Sequence, residues 1–340
     1  MHLNQKSKFE NIFKFDLELI QQWLEEVINT EYSNSIMRSM ILPIFANKIG
    51  KKLRPIITLN VFRAINGENI SEEDSSKIKS ICTAIEISHN ASLLIDDVFD
   101  KDIIRRGEPS FHVKFGTFAA LSAGYNLSAF VFDLATRTDN SKIVREIGKV
   151  GSALSSALFL SKDLVSNKVI TEEFFLDVLY RKTTALFVTA AKCGALLATK
   201  DTTLIDKFTQ FGEYFGTSYQ LRDDVLAIIG SEKDLGKPIE SDISNRFQSL
   251  ITIEAMKTHN KEYLKILNEY YLQNINYSFD KIKHVLFETG AVQKVAEKTI
   301  ELRDHALQIL DEMPDSPSKT RLIDLTNRIN FDKYSQYLNK

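Results

Sequence analysis

Along most of the chain apolar residues recur at intervals of three and four, as in "FFLDVLYRKTTALFVTAA" (Phe174–Ala191), the period of a helix with one buried face. The six prolines are Pro43, Pro55, Pro109, Pro238, Pro314 and Pro317, so the whole interval between Pro109 and Pro238 is free of the residue that breaks helices by removing a backbone donor. Long helices explain both facts. Helix starts are marked by "SEED" at Ser71, with Asp74 three residues after the serine, and by "TEEF" at Thr171 with two acids in its first turn. Turns are marked by "NGEN" (Asn66–Asn69), "RRGEPS" (Arg105–Ser110) and "LGKP" (Leu235–Pro238). No strand alternation stands out, and no linker or low-complexity segment divides the chain. The pattern predicts an all-α protein, one domain over residues 1–340 with roughly ten or more helices, too long for a four-helix bundle.

Composition narrows the function classes. With 43 Lys and Arg against 45 Asp and Glu, the chain has no bulk positive field for nucleic acid or an anionic membrane, so any anion must be held by a local cluster. The two cysteines, Cys82 and Cys193, sit in apolar helical contexts and read as small buried hydrophobes of a reducing compartment. The N-terminal "MHLNQKSKFENIFKF" lacks the apolar run of a secretory signal. "ALFVTAAKCGALLAT" (Ala185–Thr199) is interrupted by Lys192 and too short to span a bilayer. The expectation is a cytoplasmic protein without a transmembrane segment.

"HNASLLIDDVFD" (His89–Asp100) then stands out, because an apolar helical stretch ends in three carboxylates. At 100° per residue Asp96 and Asp100 share a face with His89, Ser92 and Leu93, and Asp97 sits beside them. Like charges one turn apart disfavour a helix unless a cation neutralises them. A hard divalent ion such as Mg²⁺, which takes oxygen ligands and also binds phosphate, suits such a stripe; a solvated acidic helix end is the plainer alternative. A second pair, Asp223 and Asp224, follows Gln220 in "YQLRDDVLA". Basic groups lie in "GKKLRP" (Gly50–Pro55), "RRG" (Arg105–Gly107), "RKTT" (Arg181–Thr184) and at Lys237. Only four residues separate "DDVFD" from "RRG", which brings metal ligands and fork-shaped anion donors to one rim.

Taken in order, "GKKLRP", "HNASLLIDDVFD", "IIRRGEPSFH", "RKTTALF", "YQLRDD" and "LGKP" resemble the trans-isoprenyl diphosphate synthases, the polyprenyl synthetase family of head-to-tail prenyltransferases. "HNASLLIDD" looks most like the geranylgeranyl diphosphate synthases of the eukaryotic type. The resemblance implies an all-α isoprenoid synthase fold, a bundle around a deep central cavity, usually as a homodimer. It implies that Asp96 and Asp100 hold two Mg²⁺ ions on an allylic prenyl diphosphate, supported by Asp97, and that Asp223 holds a third. Arg105, Lys182 and Lys237 would grip that diphosphate, with Thr183 and Gln220 facing the reacting carbons. Gly50, Lys51, Arg54, His89 and Arg106 would hold isopentenyl diphosphate. His112 is read as a supporting residue.

The same resemblance assigns product length to the residues one turn before the first aspartate, here the small Ala91 and Ser92, so the product would be geranylgeranyl diphosphate or longer. Tyr125, Phe130 and Phe132 in "GYNLSAFVFDLA" are candidate floor residues or ordinary core. The chain departs from the family at Ala227, where many members carry an acid, at Arg246 and Phe247, where a Gly-Lys pair is usual, at Tyr125 for a usual aspartate, and at "LSKD" (Leu160–Asp163). Two other readings stay open: a terpene synthase that ionises a prenyl diphosphate without isopentenyl diphosphate, and a non-catalytic partner of another synthase. Ala91→Phe is expected to shorten the product, as read by chromatography of the dephosphorylated prenols; an unchanged length would move the floor elsewhere.

Overall fold

The structure is a computed structural model that describes residues 3–30, 32, 35–46, 50–230, 243 and 245–338. Helices dominate it, as the apolar period predicts. In chain order they are α1 (Leu3–Thr30), α2 (Ser35–Ala46), α3 (Leu53–Asn66), α4 (Glu72–Asp100), α5 (Phe111–Phe115), α6 (Thr117–Thr136), α7 (Ser141–Leu160), α8 (Glu172–Leu179), α9 (Ala185–Ala198) and α10 (Thr202–Ile229). The C-terminal third adds α11 (Leu250–Ala255), α12 (Lys261–Tyr271), α13 (Phe279–Glu288), α14 (Ala291–Asp311), α15 (Pro317–Thr326) and α16 (Ser335–Leu338). Both predicted caps form: Ser71 Oγ accepts from the Asp74 amide at 3.1 Å, and Thr171 Oγ1 from the Phe174 amide at 3.2 Å. One difference is a hairpin of β1 (Ile104–Arg105) and β2 (Glu108–Pro109), whose two-residue strands are too short to show any alternation.

Packing gathers the chain into two compact units. The first comprises residues 1–152, 186–212 and 308–325. Its core holds Phe13, Ile20, Leu24, Ile56, Phe62, Phe187 and Phe208, all fully buried. A polar network runs through it: buried Asp16 accepts from Asn60 Nδ2 at 2.8 Å and Arg63 Nη1 at 2.6 Å, and Arg321 donates to Asn60 Oδ1 at 3.1 Å. Each charge there has a partner, the condition for burying it. Glycine sets how closely helices meet. A Cβ at Gly124 of α6 would lie 2.7 Å from the Ile95 side chain of α4, and one at Gly194 of α9 would lie 2.5 Å from the Thr58 carbonyl oxygen of α3.

The second unit comprises residues 153–185, 213–307 and 326–340. Its core joins Phe175 and Val178 of α8, Leu221 and Val225 of α10, Ile251 of α11, Tyr271 of α12, Leu286 of α13 and Val295 of α14. Gln248, fully buried, donates to the carbonyls of Ser166 and Lys168 at 2.9 Å each and so ties the approach to α8 to the approach to α11.

Both cysteines are free and buried, as expected, and burial pushes both thiols up. Among the described residues, α6 is long and apolar enough by length and composition to cross a membrane, which the reading from Ala185–Thr199 did not consider. One side of α6, with Ala120, Ala123, Gly124, Leu127 and Val131, is buried, whereas Phe118, Leu121, Tyr125 and Phe132 are exposed.

Gly194→Ala is expected to destabilise the protein by about 1–3 kcal/mol, because the backbone carbonyl in its way cannot rotate aside. Gly151→Ala, where an added Cβ meets nothing within 4 Å, is the control and should gain up to about 1 kcal/mol. Urea unfolding measures both.

Candidate active site

One group of the predicted site residues stands at the C-terminal end of α4. Lys101 takes a left-handed conformation (φ 58°) and its amide donates to the Asp97 carbonyl, ending the helix. That end of a helix carries partial negative charge, and its last turn holds no basic residue, so the aspartates there need outside compensation. The hairpin supplies it. Arg106 (φ 55°) and Gly107 (φ 82°) form its two-residue loop, both left-handed as a type I′ turn requires, with Ile104 opposite Pro109 and Arg105 opposite Glu108. Arg105 Nε then donates to Asp97 Oδ1 at 2.8 Å, Nη2 donates to the same oxygen, and Nη2 also reaches Asp102 Oδ2 at 3.0 Å. Asp97 is buried and neutralised by this fork, while Asp96 is half-buried and Asp100 exposed. Arg105, expected to face diphosphate, is engaged by carboxylates.

A cationic cluster gathers beside α4 about two to three turns earlier. His89 is half-buried, and burial together with the charges of Arg54, Arg106 and Arg105 holds its imidazole well below the usual histidine range. It is therefore neutral at physiological pH. Gly50 stands beside Arg106: a Cβ there would be in ordinary contact with Nη1, at 3.5 Å. Arg54 stacks on the Phe187 ring, 4.3 Å from its centroid, and Lys51 is exposed. Two residues that sequence reasoning passed over complete the cluster. Glu86 is only 4% exposed; burial raises its carboxyl's affinity for a proton, with Lys52, Arg54 and Arg106 pulling the other way. Asn90, also buried, donates to Glu86 Oε1 at 3.1 Å. The signal available in the sequence was an acid inside an apolar helix one turn before His89.

Of the residues expected to set product length, Ala91 is buried, and its carbonyl oxygen lies 3.5 Å from where a Cβ on Gly124 would stand. Ser92 is half-buried and its hydroxyl donates to the His89 carbonyl at 2.9 Å. Tyr125, at 80% exposure, and Phe132 are on the outer face of α6, and Phe130 packs edge-on against Tyr32.

A separate group of the predicted site residues lies in the second unit. Between α8 and α9 the helix widens into a π turn over Tyr180–Thr184, an inserted residue that re-aims side chains and includes Lys182 and Thr183. Thr183 Oγ1 donates to Gln220 Oε1 at 3.0 Å, and Gln220 Nε2 donates to Asp224 Oδ1 at 2.9 Å. Asp223 accepts from Arg222 at 3.2 Å. Thr183, Gln220 and Asp224 are thus one chain of contacts. Ala227 is buried and lines a small cavity with Phe247, Ile228, Tyr271 and Leu286, so the apolar residues at both departures pack together. Arg246 donates to Asn276 at 2.6 Å and stacks on Tyr270, which commits it away from replacing a diphosphate lysine. Lys237 and its "LGKP" turn lie outside the described residues.

The donor chemistry fits a hard cation. With Asp97 committed to Arg105, Asp96 and Asp100 are oxygen donors one turn apart. Among the described residues no three His, Cys, Asp or Glu side chains converge into an all-protein cage. A Mg²⁺ ion bound by one or two carboxylates and completed by water and phosphate oxygens needs no such cage.

Comparison with known proteins identifies the family. Residues 36–288 match the family described as polyprenyl synthetase. The chain is 29% identical to a geranylgeranyl diphosphate synthase of Methanosarcina mazei, over 82% of this chain and 84% of that one. It is 31% identical to a short chain isoprenyl diphosphate synthase of Methanothermobacter thermautotrophicus, over 71% and 73%. The fold superposes on the crystal structure of geranylgeranyl pyrophosphate synthetase from Pyrococcus horikoshii Ot3 with a TM-score of 0.83, at 25% identity, covering 96% of this chain and 98% of that one. The chain belongs to the polyprenyl synthetase family, and its fold is the all-α fold of isoprenyl diphosphate synthases.

His89 makes stability depend on pH with a definite sign. Its folded pKa lies below the unfolded value of about 6.5, so protonation favours unfolding and stability falls as pH drops below about 6.5, by up to about 1.4 kcal/mol per unit. His89→Gln is expected to flatten that part of the profile, measured by urea unfolding between about pH 5 and 8.

Proposed function

We propose that this chain is a Mg²⁺-dependent prenyltransferase that condenses isopentenyl diphosphate head-to-tail with an allylic prenyl diphosphate, giving a trans-prenyl diphosphate of geranylgeranyl length or longer. The observation that carries this reading is the pairing of two kinds of anion-handling chemistry on α4. Carboxylates suited to a metal-bound diphosphate, Asp96 and Asp100, stand about two to three turns from a cluster of Arg54, Arg106 and neutral His89. A terpene synthase needs no second diphosphate cluster, and a modulating subunit needs no intact metal ligands. Retention of both favours the synthase.

In this reading Asp96, Asp100 and Asp223 ligate three Mg²⁺ ions, which when bound act as Lewis acids on the leaving diphosphate. Asp97 keeps Arg105 in position to serve the same group. Lys182, Arg105 and Lys237 clamp the allylic diphosphate, and their hydrogen bonds strengthen as negative charge builds on the leaving oxygen. Thr183 and Gln220, already joined to each other, shield the allylic carbons. Gly50, Lys51, Arg54, His89 and Arg106 hold isopentenyl diphosphate, with the neutral imidazole donating a hydrogen bond. The alkene attacks the ionised allylic carbon, and the released diphosphate takes the proton, so no protein nucleophile is needed. Small Ala91 and Ser92 leave the chain room to grow.

The proposal further includes one catalytic domain acting as a homodimer in the cytoplasm, with no membrane span and no nucleic-acid partner. The exposed stripe Phe118, Leu121, Tyr125 and Phe132 supports a protein partner for α6. The near-balanced charge supports the absence of nucleic acid.

Purified protein incubated with Mg²⁺, farnesyl diphosphate and labelled isopentenyl diphosphate is expected to yield a longer labelled diphosphate, lost on chelation. Hydrocarbon formed without isopentenyl diphosphate would instead indicate a terpene synthase. No turnover with any allylic primer would indicate a partner subunit. Asp96→Asn should lower kcat by about 10²-fold or more with the fold intact. Light scattering should give about twice 38.8 kDa.

A further inference from the structure

We propose that Glu86 and Asn90 are positioning residues for the isopentenyl diphosphate cluster, a buried carboxylate and its amide relay that hold the Lys52 turn and the Arg106 hairpin loop against α4. This inference rests on the reading of that cluster given above. Helices α3 and α4 are joined by the short connection Gly67–Ser71 and run antiparallel, and their register is marked by the Cys82 thiol, 3.6 Å from the Pro55 carbonyl. One turn further along α4 and one turn back along α3, Glu86 comes level with Lys51 and Lys52. Lys52 is buried, stands just before α3, and is left-handed with φ 46°. A buried ammonium needs a counter-charge, and Lys52 is the strongest of the cations acting on Glu86.

A further turn along α4, Asn90 extends the tie. Its Nδ2 donates to Glu86 Oε1 at 3.1 Å and to the Glu86 carbonyl at 2.8 Å. That leaves Oδ1 as the acceptor for Arg106 Nη1, at 3.5 Å. The carboxylate therefore fixes which way the amide points, since the flipped amide would turn its N–H groups toward a guanidinium. Arg106 is the second non-glycine residue of the cluster with a left-handed backbone (φ 55°). Such conformations persist where their surroundings over-determine them, and Gly50 and Arg106, from the two tethered segments, lie side by side. Glu86 itself is no ligand: it is buried, and a carboxylate would repel diphosphate.

Steady-state kinetics of the full-length protein with both substrates varied test this. Glu86→Gln keeps the shape and an acceptor oxygen but removes the charge. It is expected to raise KM for isopentenyl diphosphate about 10-fold or more, while KM for the allylic substrate stays within about twofold. Because the damage comes from stranding Lys52, the double variant Lys52→Met/Glu86→Gln is expected to recover most of that loss. Arg54→Ala separates the two levels: if it leaves KM for isopentenyl diphosphate unchanged, the cluster does not hold that substrate and both readings fall. If Arg54→Ala raises that KM, the positioning role alone is overturned by a Glu86→Gln effect under about twofold, by equal rises in both KM values, or by a double variant no better than the single one.

Discussion

The candidate site depends on how one helix end carries charge that its own backbone opposes. The last turn of α4 adds Asp97 and Asp100 to a terminus already rich in unpaired carbonyls, with no basic residue among them. The ion pair between Arg105 and buried Asp97 answers this, and it does so by folding the chain back through a tight hairpin. One of the three carboxylates is thereby held in the structure by an ion pair. The same hairpin that neutralises Asp97 brings Arg106 to Asn90 and Gly50.

In the second unit the equivalent problem is aiming rather than charge. A regular helix from α8 into α9 would carry Lys182 and Thr183 round at a fixed pitch, whereas the π turn shifts them relative to the residues on either side. Thr183 then meets Gln220, and Gln220 uses its other atom on Asp224, so that a hydroxyl, an amide and a carboxylate orient one another. The departures at Ala227 and Phe247 are neighbours in space, both lining one cavity together with Asp224, Ser249 and Thr252.

Much of this was legible in the residues because it rests on local rules. The three-and-four period required helices, the serine and threonine caps were where spacing put them, and the aspartate and basic motifs carried the family resemblance. Less legible were features in which a residue's partner is distant in sequence. That Arg105 bonds Asp97 and Asp102, that Arg246 is committed to Asn276 and Tyr270, and that Tyr125 is on an exposed face all depend on neighbours brought in by folding. Glu86 and Asn90 were missed for the same reason. On a helical wheel they are two polar residues in an apolar helix, and only the approach of α3 and the hairpin gives them cations to hold.

The sequence by itself determined the helical class and the family, since periodicity, capping and motif spacing are properties of neighbouring residues. Tertiary structure decided the surroundings of each motif side chain. Burial and nearby charge, which no linear pattern contains, paired Asp97 with Arg105 and hold the His89 imidazole below its usual range.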